Sequence, residues 1–206
     1  SPEKWNYDRG LSFLEAGRYR EATAAFDRAL ELKPNYAAAW TNRGVAFQKG
    51  GDREEAIRSY RRALELEPGS PRALKNLADA CREIGETEKA IGYYRDALDR
   101  HPEYDSIRRD LAALLAAEGR GEEAAAAFRE AIRINPGNIS AYIGLGNLQL
   151  DKSRPRAAIR SYRRALAIDP GNVMARYNLA NARAAAGEIT AAIAAHRETL
   201  RLQPEH

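Results

Sequence analysis

Apolar positions along this chain recur at helical spacing, and they do so with one long period. Pro34, Pro68, Pro102, Pro136, Pro170 and Pro204 are each 34 residues apart. Counting back from them divides the chain into 3–36, 37–70, 71–104, 105–138, 139–172 and 173–206, leaving only Ser1 and Pro2 over. A fixed period of this length marks a repeat architecture. The eighth position of each frame is small: Gly10, Gly44, Ala78, Ala112, Gly146 and Ala180. The twentieth is always alanine, from Ala22 and Ala56 through Ala90, Ala124, Ala158 and Ala192. The twenty-seventh is alanine in Ala29, Ala63, Ala97, Ala131 and Ala165, and Thr199 in the last frame. Rings stand at the twenty-fourth position (Phe26, Tyr60, Tyr94, Phe128, Tyr162), with His196 in the sixth frame. The twenty-eighth carries Leu30, Leu64, Leu98, Ile132, Leu166 and Leu200. Positions 20, 24, 27 and 28 share one face of a helix and form its apolar stripe. Small residues opposite the rings let two helix backbones approach closely.

The punctuation predicts two helices per frame. Gly17, Gly51, Gly85, Gly119 and Gly187 end the first helix, and Ser153 takes that place in the fifth frame. Glycine there is the left-handed helix stop. Pro71 and Pro155 open helices, where a missing N–H costs little. Glu54–Glu55 and Glu122–Glu123 stand at second-helix starts, favourably placed against the helix dipole. The expectation is an all-α chain of about twelve antiparallel helices, forming one domain over 3–206.

The pattern W/L-x-x-L-G…Y…A…F…A…P with this period resembles the tetratricopeptide repeat, and repeat two carries it best, in Trp40, Gly44, Phe47, Ala56, Tyr60, Ala63 and Pro68. Arg9 and Arg43 depart from it where leucine is usual, as do Arg108 and Arg176 where a large apolar residue is usual. The resemblance implies a right-handed superhelix, an α-solenoid, whose first helices line a concave groove. It further implies a protein-interaction scaffold that binds an extended peptide or a partner helix there, without catalysis. The alternative is a non-catalytic arm cut from a larger enzyme, such as an O-linked glycosyltransferase, that recruits its substrate.

Residues at the family's groove-facing positions define the expected partner-binding set: Asn42, Lys49, Arg72, Lys75, Asn76, Arg82, Arg109, Asn147, Met174, Tyr177, Asn178 and Asn181. The basic residues Lys49, Arg72, Lys75, Arg82 and Arg109, tempered by Asp79, Glu83 and Asp110, point to a partner acidic in its middle. Ala113, Ala116 and Ala117 leave room for a ligand. Ile143, Leu150, Met174 and Tyr177 with Asn147, Asn178 and Asn181 make an apolar and amide zone. Asn42, Asn76 and Asn178 share the sixth position, and an amide can grip a peptide backbone of any sequence. This partly resembles the asparagine ladder of O-linked N-acetylglucosamine transferases, interrupted here by Asp8, Asp110 and Gly144. The carboxylate clamp of chaperone-binding relatives is absent, because Asp79 and Asp110 stand where an asparagine and an arginine are required.

The remaining chemistry is sparse. Cys81 is the one cysteine, so an internal disulfide and a thiolate zinc cluster are excluded. A single thiol fits a reducing, cytoplasmic setting, and its inward position predicts an inert buried group. His101, His196 and His206 lack metal-ligand spacing with one another or with Cys81. Gly144-Leu145-Gly146 follows no strand and is not a nucleotide loop, and neither GxxxxGK[ST] nor GxSxG occurs. No cofactor and no metal is expected. The longest apolar run, Leu111–Ala117, is far short of the roughly 20 residues that span a bilayer, so no membrane segment is expected. Net charge is +4. Most arginines, including Arg58, Arg61, Arg62, Arg160, Arg163 and Arg164, read as second-helix residues beside Asp and Glu. The second-helix rings are committed to the core, which argues against a nucleic-acid partner. The chain stops after the second helix of its sixth repeat, leaving Ile193, Leu200 and Leu202 without a cover, while Trp5 has no preceding repeat. A fragment of a longer protein is the expectation, and end-to-end self-association the alternative.

Overall fold

The computed structural model describes residues 1–202, with the side chains of 196 and 198–202 left undescribed. Twelve helices and no strand occur among the described residues: α1 (Pro2–Glu15), α2 (Tyr19–Leu32), α3 (Ala37–Gly50), α4 (Arg53–Leu66), α5 (Pro71–Glu83), α6 (Thr87–Arg100), α7 (Asp105–Ala117), α8 (Gly121–Ile134), α9 (Ile139–Asp151), α10 (Pro155–Ile168), α11 (Val173–Ala185) and α12 (Ile189–Leu202). The all-α class is the one expected. The expectations for His196, Thr199, Leu200, Leu202, Pro204 and His206 lie outside the described side chains. The helices divide into two compact units, one over Ser1–Pro102 and one from Glu103 onward.

Local chemistry explains the helix ends. Ser70 and Asp52 accept from the backbone N–H of Ala73 and Glu55 at the starts of α5 and α4. Asn138 and Asn172 do the same for Ala141 and Ala175, both at 3.0 Å, at the starts of α9 and α11. Each satisfies a donor that the first helical turn leaves orphaned. The five stop glycines have φ between 72° and 92°. Ser153 reaches φ 55° without being glycine. Its chain reversal uses the same two bonds as at Gly51: Ser153 N–H donates to Leu150 and Arg154 N–H to Gln149, both at 2.8 Å.

Each helix pair closes on a ring. Phe26, Tyr60 and Tyr162 are fully buried, and Tyr94 and Phe128 nearly so. A Cβ added to Gly10, Gly44 or Gly146 would lie 2.5 Å from a carbon of the Phe26, Tyr60 or Tyr162 ring respectively. The small eighth residue is therefore the seat of the ring sixteen positions later. Burying each ring removes a large apolar surface from water, worth about 1.5–3 kcal/mol per side chain. Consecutive helices pack throughout each unit. First helices also touch first helices, α1 with α3, α3 with α5, α7 with α9 and α9 with α11. No comparable contact joins neighbouring second helices among the described residues. Within each unit the first helices thus lie on the inner, more tightly gathered side.

Two of the arginine departures, Arg43 and Arg176, have structural accounts. Arg43 lies 4.6 Å over the Phe47 ring, with Nε donating to Asp27 at 2.6 Å and Nη1 to Ser59 at 2.7 Å. Its stem covers apolar surface as leucine would, and its head is paired. Arg176 donates from Nε to the Pro170 carbonyl at 2.9 Å. Trp40 donates from Nε1 to the Pro34 carbonyl at the same distance. Both satisfy the carbonyl of the frame-ending proline, so polarity at the tip matters more there than an apolar body. At the ends, Trp5 is 61% exposed and Ile193 48%. Cys81 is fully buried, and burial pushes its thiol pKa up, with the Glu86 charge a smaller cause in the same direction.

Candidate functional site

The inner face of the first unit holds Asn42 and Lys49 on α3, and Arg72, Lys75, Asn76 and Arg82 on α5. The sequence places all of them in a groove, but their environments differ. Asn42 is 0% exposed. Its Nδ2 donates to the Tyr7 hydroxyl at 2.8 Å, and its Oδ1 accepts from Arg72 Nη2 at 2.7 Å. The amide expected to face a ligand is instead an internal strut joining α1, α3 and α5. Tyr7 gave no such signal in the sequence, because its partner lies 35 residues away.

Lys75 is paired with Asp79 at 2.7 Å, and Asp79 also accepts the Tyr94 hydroxyl. Lys75 is therefore a matched charge rather than an open cation, as an i,i+4 pair on one helix allows. Lys49 and Asn76 fare differently. They line an open cavity of about 500 Å³ together with Val45, Gln48, Arg53 and Glu83. Its far wall is fixed by Glu83, which accepts from Gln48 Nε2 at 2.8 Å and from Arg53 Nε at 3.1 Å. Gln48 in turn accepts the hydroxyl of buried Tyr60 at 2.8 Å. Lys49 and Arg82 are exposed and Asn76 half-buried. An ammonium and an amide thus face a recess whose other walls are already bonded, where they can take a carboxylate or a carbonyl.

In the second unit Arg109 on α7 binds Asp110 through Nε at 3.0 Å and Nη2 at 2.7 Å. It is spent on its neighbour. The stronger constellation lies on α9 and α11. Tyr162 reaches out of the core and donates its hydroxyl to Asn147 Oδ1 at 2.7 Å. Asn178 Nδ2 donates to the same oxygen at 3.2 Å. Burial, with the charge of Asp151 adding to it, holds the Tyr162 phenol protonated, its pKa pushed up to about 12. The Asn147 oxygen is therefore fixed by two donors. That orientation leaves the Asn147 amide N–H groups and the Asn178 oxygen as an outward donor and acceptor pair, the requirement for gripping a peptide unit. Met174 and Tyr177, 63% and 52% exposed, stand on the same helix as Asn178, and Asn181 is half-buried one turn on. Ile143 belongs to the core rather than to this surface. Leu150 is half-buried against that core.

Gly144, which reads in the sequence as a gap in the asparagine series, has a packing reason. A Cβ there would run into the Phe128 ring. Ala113 and Ala117 are exposed and leave their stretch of α7 without bulk. Among the described residues no group of three or more His, Cys, Asp or Glu could hold a metal ion, and no helix is long and apolar enough to cross a membrane.

Comparison with known proteins agrees with the helical-repeat fold. A family model described as tetratricopeptide repeat matches residues 43–104, 83–139 and 143–206, and one described as TPR repeat matches 10–51. The crystal structure of PilW, a widely conserved type IV pilus biogenesis factor, is similar with a TM-score of 0.85 at 18% identity, covering 99% of this chain and 94% of that one. Pseudomonas aeruginosa pilF gives 0.83 at 20% identity, covering 100% of this chain and 93% of that one. YrrB, described as a TPR protein with an unusual peptide-binding site, gives 0.71 at 20% identity over 88% and 94%. These likenesses are of fold. No curated protein sequence matches the chain.

Proposed function

Because this chain belongs to the tetratricopeptide repeat family, we propose that it is a non-catalytic scaffold holding an extended peptide segment of a partner protein against its first-helix faces. The observation that carries the reading is the Tyr162–Asn147–Asn178 arrangement beside exposed Met174 and Tyr177. A buried phenol orients one amide, that amide orients the next, and a donor on exposed Asn147 and an acceptor on half-buried Asn178 remain for a partner. Preorganised amides of this kind bind a backbone with little further loss of freedom. Met174 and Tyr177 supply the apolar contact that a backbone grip lacks, and aromatic anchors dominate binding energy at such surfaces. YrrB, alike in fold, is described as having a peptide-binding site, which supports the reading. In the first unit the Lys49–Asn76 recess offers a second grip suited to an acidic side chain. Arg72, Lys75 and Arg109 contribute less to a preference for an acidic partner than the sequence implies, since each already holds a partner.

A photo-crosslinking residue placed at Met174, in the wild-type chain and in a Tyr177→Ala, Asn178→Ala variant, tests this. The reading expects crosslinked partners with wild type that disappear with the variant. Identical crosslinked partners from both chains would refute it.

A further inference from the structure

The run AIRSYRRAL occurs twice, at Ala56–Leu64 on α4 and at Ala158–Leu166 on α10. The two copies sit in opposite electrostatic settings. On α4, Glu54, Glu55 and Glu65 accompany the arginines, and Arg58 pairs with Glu55 and Arg62 with Glu65. On α10 there is no carboxylate at all. Its charged residues are Arg156, Arg160, Arg163 and Arg164, so this helix carries +4, equal to the net charge of the whole chain. The expectation that these arginines lie beside Asp and Glu therefore holds for α4 and fails for α10. All four are exposed, as is Arg154 just before the helix. Among the described residues none of the five makes a side-chain hydrogen bond or an ion pair. Glu122 lies close enough to feel the charge of Arg154, but it is held by Lys152.

Four like charges on one short helix repel one another and stabilise nothing inside this fold. We infer that the outward face of α10 is a second docking surface, distinct from the first-helix faces, for an acidic peptide segment whose carboxylates recur about every 6 Å. Arg156, Arg160 and Arg164 follow one another at four-residue intervals, which a rise of ~1.5 Å per residue spaces by ~6 Å. Carboxylates one helical turn apart on a partner have the same step. All the cations are arginine, whose planar fork binds carboxylates in bidentate fashion. Arg154, Arg156 and Arg160 also line an open cavity of about 440 Å³ closed by Ala185 and Ala186, with space for an inserted acidic side chain.

Other polyanions fit less well. Single-stranded nucleic acid needs exposed aromatic platforms, and the one ring of α10, Tyr162, is fully buried. An anionic membrane surface calls for an apolar face to insert, but Ala158, Ile159, Tyr162 and Ala165 are buried in the core. A broad polyanion would also meet α8, where Glu122, Glu123 and Glu130 outnumber Arg129 and Arg133.

The test is fluorescence anisotropy with the full chain and a labelled helical peptide carrying Glu at every fourth position, at about 50 mM salt, where surface charges are little screened. Arg156→Glu, Arg160→Glu, Arg164→Glu should weaken binding at least ~10-fold, while Arg58→Glu, Arg61→Glu, Arg62→Glu on the duplicate run should change it less than ~2-fold. The matching Arg→Gln set, checked for helical content by circular dichroism, keeps the comparison valid if charge reversal disturbs folding. No binding by wild type, or equal weakening by the α4 and α10 sets, would overturn the proposal. Tighter binding of a single-stranded oligonucleotide or of phosphatidylserine vesicles through the α10 arginines would overturn it as well.

Discussion

Replacing Asn42 by alanine separates a structural amide from a recognition amide. In the fold this side chain is fully enclosed and makes two bonds, one from its amide to the Tyr7 hydroxyl and one to its carbonyl from the Arg72 guanidinium. A neutral hydrogen bond contributes about 0.5–1.5 kcal/mol and one to a charged group about 1.5–3 kcal/mol. Arg72 is exposed and Tyr7 half-buried, so water recovers part of what each loses. The expected cost is therefore about 2–3 kcal/mol, toward the lower part of the summed range. With a urea slope of about 1–3 kcal/mol/M, the unfolding midpoint should fall by roughly 1–2 M. The assay is urea denaturation followed by circular dichroism, with amide hydrogen exchange locating the weakened protection in α1, α3 and α5. Asn178→Ala is the control, because among the described residues its half-buried amide bonds only to Asn147 and should cost less than about 1 kcal/mol. Equal midpoints for the two variants would refute the assignment of Asn42 as an internal strut.

Three further outcomes follow from the same geometry. Gly146→Val drives a side chain into the Tyr162 ring and should destabilise by about 1–3 kcal/mol, whereas Gly92→Ala, on α6 with nothing within 4 Å of the added carbon, should stabilise by about 0.5–1 kcal/mol. Thermal denaturation reads both, with opposite signs. Ser153→Gly removes a left-handed serine that costs about 1–2 kcal/mol and accepts some loss of chain entropy, so the melting temperature should rise by an amount equivalent to about 0.5–1 kcal/mol. Cys81 should resist iodoacetamide in the native chain at neutral pH and react fully in denaturant. Its raised pKa keeps the thiol protonated as pH climbs toward the ordinary thiol range, and burial blocks access, so rapid native alkylation at pH 8 would contradict both.

How much of the site was legible can be judged residue by residue. Lys75 and Asp79 stand four apart on one helix, so their pairing follows from the sequence alone. The roles of Asn42 and Asn178 do not. They occupy the same place in their repeats, yet one is sealed between Tyr7 and Arg72 and the other is only half-buried, bonded to Asn147. The partners of Asn42 come from 35 residues before and 30 after, and no local pattern encodes whether they reach it. Gly144 is similar, because its constraint is the Phe128 ring of the preceding repeat. The contrast between the two AIRSYRRAL runs lay open in the sequence, as the absence of any Asp or Glu along α10, and needed only a comparison of their flanks.

The sequence by itself determined the helices, their ends and the ring-and-glycine interlock within each pair. These depend on contacts close along the chain, where 34-residue periodicity, turn glycines and apolar stripes act directly. Tertiary structure alone decided which polar groups are spent between repeats and which remain for a partner. A hydrogen bond between successive repeats depends on how far two side chains extend across a packed interface. That distance is fixed only when the helices stack.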